Sequence, residues 1–132
     1  MVATLFVALM LLVPQAGKPV ALPDTPQGKH VKAYLDAFNS GDEKKYLAMV
    51  EEHFEASTLK ERPLEERAKM FQRLKGDFGT FKVAKVAKAS AEAITLLIPN
   101  KEGIEATFNF RFAAAAPHKI TGIGVDLERG ER

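Results

Sequence analysis

Apolar residues recur at Val31, Tyr34, Leu35 and Phe38, the i, i+3, i+4, i+7 spacing of one helix face. Thr25 is placed to cap this helix, and Pro26 suits its first turn, where a missing N–H costs nothing. The spacing predicts a helix over Pro26 to Ser40. Gly41 can take the left-handed conformation that ends a helix, and Asp42 can cap the next one. In the second helix, over Glu43 to Phe54, Tyr46, Leu47, Val50, His53 and Phe54 share a face, and Glu51, Glu52 and Glu55 lie toward the other. Ser57 to Pro63 has no clear period and is expected to be a connection. Pro63 is placed to open a third helix, with Leu64, Arg67, Ala68, Phe71, Leu74 and Phe78 on one stripe and Gly76 and Gly79 at its end.

After Gly79 the period changes to two. Phe81, Val83, Lys85 and Ala87 alternate with Lys82, Ala84, Val86 and Lys88, and Ile94, Leu96 and Ile98 mark a second strand. Pro99 to Gly103 is turn-like. The clearest alternation follows: Ile104, Ala106, Phe108, Phe110 and Phe112 face one way, and Glu105, Thr107, Asn109 and Arg111 the other. Pro117-His118 is a second turn. Ile120, Ile123, Val125 and Leu127 form a last strand, and their parity slip predicts a bulge at Thr121-Gly122. Three helices followed by four short-looped strands define an α+β layout, one antiparallel sheet with helices on its apolar face.

The first residues stand apart. Val2 to Val13 is apolar except for Thr4, shorter than the about 20 residues that span a bilayer but long enough for the core of a secretory signal. No Lys or Arg precedes it, and the small-residue positions near Ala16 and Ala21 are interrupted by Pro14 and Pro19. The expected organisation is a signal peptide or apolar leader plus linker over residues 1–21, a domain over 22–128 and a charged tail over 129–132. An uncleaved leader is the one expected route to a membrane. The protein is expected to be exported, periplasmic or extracellular.

The chain has 132 residues, room for one modest core, and a formal net charge of +2. So small a charge argues against a dedicated nucleic-acid binder. Lys82, Lys85 and Lys88 are expected to guard an edge strand. There is no cysteine, which excludes disulfides, thiol nucleophiles and cysteine metal sites, and no tryptophan, which leaves the aromatic core mainly to phenylalanine. Alternating Glu65, Glu66, Arg67, Lys69, Arg73 and Lys75 suggest a solvated third helix with intrahelical ion pairs.

The run Tyr34-Leu35-Asp36-Ala37-Phe38-Asn39-Ser40-Gly41-Asp42 resembles the first helix and hinge of nuclear transport factor 2-like (SnoaL-like) domains. Arg62-Pro63-Leu64-Glu65-Glu66-Arg67 and His118-Lys119-Ile120-Thr121-Gly122-Ile123-Gly124-Val125 resemble the exported bacterial subgroup, which often precedes a serine β-lactamase-like or tail-specific peptidase domain. The resemblance extends over Leu22 to Leu127. It implies a cone-shaped roll, a curved four-stranded sheet around a long helix, with a pocket between them. Family members include isomerases, dehydratases and cyclases, and fold alone assigns none of these activities. This chain stops where fused members would enter a hydrolase, which suggests a free-standing module or the remnant of a fusion.

Ser57-Thr58-Leu59-Lys60 matches the Ser-x-x-Lys nucleophile motif of serine β-lactamases. The Lys-Thr-Gly strand that mechanism needs is missing, and the match is read as chance. His30, His53 and His118 lack metal-ligand spacing, so neither a metal nor a cofactor is expected. If the protein is an enzyme, an isomerase or hydrolyase, its candidates are His53 as a base, with Tyr34 and Asp36. The resemblance places Tyr34, Phe38, Phe108, Phe110 and Phe112 around a ligand pocket. That lining offers no acid or base and suits an apolar ligand or a filled core. Thr107, Asn109 and Arg111 on the opposite sheet face are candidate interface residues, with Arg111 central, for a homodimer or a hydrolase-domain partner. The balance favours a non-catalytic exported module that associates through its sheet and holds a small apolar ligand.

Overall fold

The computed structural model describes residues 20–127. The leader and the charged tail therefore lie outside the described residues. Thr25 caps helix α1 (Pro26–Asn39): its Oγ1 accepts from the Gly28 amide at 3.1 Å, and Pro26 occupies the first turn. Gly28 is required here, because a Cβ would collide with the Pro23 carbonyl. Gly41 turns the chain at φ 74°. Asp42 then caps α2 (Glu43–His53), accepting from the amides of Lys44 and Lys45. Both caps sit where the sequence places them.

The expected connection after Phe54 contains a further short helix, α3 (Ala56–Glu61), so the described residues hold four helices rather than three. It has no side-chain cap, and only Thr58 is buried, so no hydrophobic period announces it. Helix α4 (Leu64–Phe78) starts one residue later than expected, with Pro63 as its cap position. It runs through Gly76 and ends at Gly79, φ 75°. Arg67 is not solvated on this helix. It is 6% exposed. The intrahelical ion pairs expected of α4 do not form within 4 Å among the described residues, where the acid–base pairs are Lys32–Asp36 and His53–Glu52.

The sheet is antiparallel, in the order β1 (Lys85–Ala89), β2 (Ala93–Pro99), β3 (Glu105–Phe112), β4 (Ile120–Leu127). The first strand is shorter than its alternation suggests. Phe81 to Ala84 lie before it, and the side-chain amide of Asn39 supplies the hydrogen bonds a strand partner would have given Phe81, at 3.0 Å to its carbonyl and 2.7 Å from its N–H. Lys85 and Lys88 are exposed on this edge strand, as expected of a guarded edge. Register pairs Ile94 with Phe110, Leu96 with Phe108 and Ile98 with Ala106 on the helix-covered face. Arg111 opposes Gly122 while Phe112 opposes Ile120, which leaves Thr121 as the extra residue of the expected bulge.

The core is a cluster of aromatic rings between α1, α2, α4 and the sheet. Phe38 stacks on Phe81 with centroids 3.7 Å apart, and Phe78, Phe81 and Phe108 meet edge to face at 4.9–5.5 Å. Fully burying one such ring contributes about 1.5–3 kcal/mol. The α2–α3 junction is fastened to β4: the Glu55 amide donates to the Ile120 carbonyl at 2.9 Å, and Phe54 bridges Ile120 in parallel.

Candidate functional site

The helix-facing side of β4 is less covered than that of β2 or β3. Ile94, Leu96, Phe108 and Phe110 are fully buried, whereas Ile123 is only partly buried and Val125 is 44% exposed. A pocket of about 260 Å³ opens here, walled by α3, α4 and β4. Thr58 on α3 holds one wall in place, donating from Oγ1 to the bulge residue Thr121 at 3.1 Å.

At the inner end of the pocket lie two phenols and a guanidinium, from Tyr34, Tyr46 and Arg67. The hydroxyls of Tyr46 and Tyr34 lie within hydrogen-bond reach of one another, 3.5 Å apart. Burial raises the pKa of both, and for Tyr34 the neighbouring Tyr46 adds to the rise, so both hydroxyls remain protonated donors at neutral pH. Burial lowers the pKa of Arg67, although arginine stays charged in proteins. Its guanidinium lies 4.7 Å over the Phe54 ring, and its Nε donates to the Arg62 carbonyl at 3.4 Å. No carboxylate approaches it within 4 Å among the described residues. Arg62 and Glu61 are exposed on the rim, with Met70 and Leu74 beside them. Arg111 also reaches this rim: its guanidinium lies over Gly122, where a Cβ would stand 3.4 Å from an Nη.

The three residues expected to serve an enzyme do not form one site. Tyr34 is 2% exposed, inside the aromatic cluster. Asp36 is exposed, binds Lys32 at 2.7 Å, and borders a different, open groove of about 1040 Å³ along α1. His53 lines neither space, and its Nδ1 meets Nδ1 of His30 at 2.9 Å. The other nitrogen of His30 contacts the Pro117 carbonyl at 2.8 Å. The His53 pKa lies below its ordinary value, chiefly through burial, with His30 and Lys119 acting the same way against Glu52. No group of three or more His, Asp or Glu side chains forms a metal-holding set among the described residues.

Of the residues expected around a ligand pocket, Tyr34 alone lines the pocket described above. Phe38, Phe108, Phe110 and Phe112 are buried in the core, packed against neighbouring side chains rather than around a space. Thr107 and Asn109 lie on the outer sheet face, where Thr95 donates to Asn109 at 2.9 Å. Ser57 and Lys60 of the Ser-x-x-Lys match are carried on α3 beside the buried Thr58, with Ser57 exposed. Sequence reasoning missed Tyr46, Thr58 and the His30–His53 contact. It placed Arg67 on the apolar stripe of its helix, the one signal that marked it.

No protein-family model, curated protein or solved structure matches the chain. No helix among the described residues is long and apolar enough to cross a membrane.

Proposed function

We propose that the chain is a non-catalytic binding module that takes a small ligand in the pocket between α3, α4 and β4. The observation that carries this reading is the make-up of the pocket: hydrogen-bond donors at its inner end, apolar side chains at its mouth, and no nucleophile–base pair between them. Tyr34 and Tyr46 are held as neutral donors, which suits binding better than proton transfer. The alternative of an isomerase or hydrolyase gains no support from the separation of His53, Tyr34 and Asp36.

Four strands with helices on one face are compatible with a nuclear transport factor 2-like roll, and the Tyr34–Asp42 resemblance favours that assignment. On this reading the module is exported and accessory, and its uncovered sheet face docks a second copy or a hydrolase domain through Thr107, Asn109 and Arg111. Thr95, Leu97, Thr107 and Asn109 make that face of short, half-buried side chains, a surface on which a second sheet can lie.

The ligand reading is tested by native mass spectrometry and calorimetry on the purified full chain with small organic probes. Saturable one-to-one binding that Tyr46→Leu weakens supports it, and no binding across a panel of acids and amides refutes it. Docking is tested separately with Leu97→Lys/Thr107→Lys, which should convert a dimer to monomer. A wild-type monomer at high concentration removes self-association.

A further inference from the structure

Resting on that binding-module reading, we infer that the pocket is built for a small monocarboxylate with an apolar body, its carboxylate seated on Arg67. Arg67 is a buried cation with no carboxylate within 4 Å among the described residues, and Glu66 acts on it only from farther off. A guanidinium taken from water without a counter-ion is strongly destabilising. The Phe54 ring and the long bond from Nε to the Arg62 carbonyl offset part of that, and both leave the two Nη groups without a hydrogen-bond partner among the described residues. Among the described residues no fully buried side-chain nitrogen or oxygen lacks a partner, so the Nη groups are not sealed in, and the pocket is the space that reaches them.

Three further features fix the class of ligand. The phenols beside Arg67 are protonated donors, and one contact between the two hydroxyls engages only one of their hydrogens, which leaves the other free to meet an oxyanion. The flat fork of a guanidinium matches the two oxygens of a carboxylate. Arg62 and Arg111 add positive charge at the rim, against one exposed carboxylate, Glu61, which makes no ion pair among the described residues. At the mouth, Met70, Leu74, Ile123 and Val125 present apolar surface that a bare inorganic anion would leave uncovered. A volume of about 260 Å³ admits a short chain or a single ring.

The test is calorimetric titration of the full chain with benzoate and hexanoate, with their neutral counterparts benzamide and hexanamide, and with inorganic phosphate. At least one acid is expected to bind saturably, with its amide about tenfold weaker or worse, the loss of one charge-assisted pair. Arg67→Met should abolish that preference, and the Nε–Hε resonance of wild-type Arg67 should shift with the acid alone. Since Arg67 is buried, the exposed double variant Arg62→Ala/Arg111→Ala gives a second measure: it should weaken the acid several-fold and leave the amide unchanged. Equal binding of acid and amide overturns the carboxylate assignment and leaves the binding module standing. So does tighter binding of phosphate, or acid binding indifferent to both variants. Absence of saturable binding by every probe overturns both.

Discussion

The space between helices and sheet has two ends made from one alternating strand pattern, and they have opposite characters. Toward β1 and β2 it is closed by Phe38, Phe78, Phe81 and Phe108, ring on ring. Toward β4 it is open, and its deepest groups are Tyr34, Tyr46 and Arg67. The difference lies in the cover. The closed end lies under α1 and α4, of 14 and 15 residues, with Phe81 pinned by Asn39. Beside β4 stands α3, six residues long. An apolar strand face is thus necessary for a core and insufficient for a filled one.

The strongest way to break the comparison is at the closed end. Phe108→Ala should destabilise the domain by about 3–5 kcal/mol in urea unfolding, because packed rings cannot collapse around the gap. A loss under about 1 kcal/mol would mean that this end is not tightly filled. At the open end Arg67→Met should do the reverse, raising stability by about 1 kcal/mol as a buried cation with no ion-pair partner among the described residues gives way to an apolar chain of similar length. A marked loss of stability would show that Phe54 and the Arg62 carbonyl compensate the charge fully, and the two ends would then differ less than their composition suggests. Thr58→Ala should cost about 1 kcal/mol through the lost bond to Thr121, and it should loosen the pocket wall while leaving the closed end unchanged.

The smallest effect is pH dependence at the α1–α2 seam. Burial holds the His53 pKa below its ordinary value, so its contribution to stability is intact above about pH 6.5 and is lost as pH falls through the folded value. The Nδ1–Nδ1 contact with His30 acts in the same direction, since both nitrogens cannot carry a proton along that contact. Unfolding followed from pH 7.5 to 5 should show a modest decline that His53→Gln flattens. An unchanged slope in the variant would assign the decline to other groups.

Much of the closed end is legible in the sequence. Thr25, Asp42 and Gly41 announce the helix limits, and the β3 alternation names its buried face residue by residue. The slip between Ile120 and Ile123 locates the bulge. The open end is legible only in part. Helix α3 is too short to express a period and has no side-chain cap. Tyr46 is counted as an apolar face residue until its hydroxyl is found beside Tyr34. Arg67 sits on an apolar stripe, but among so many charged neighbours its period alone does not separate it from a solvated set. His30 and His53 are 23 positions apart and meet only because the Gly41 turn folds α1 against α2.

The fastening of the α2–α3 junction to β4 has a consequence for motion. The Glu55 amide on the Ile120 carbonyl and the Thr58 hydroxyl on the Thr121 carbonyl tie the helical wall to two successive residues of the strand opposite. Such a wall does not swing as an independent flap. Opening it means peeling the start of β4, so in amide hydrogen exchange Glu55 should share the protection of the sheet rather than that of a loop. On the binding-module proposal, a ligand would meet an aperture of fixed gauge, its size limit set by the strand itself.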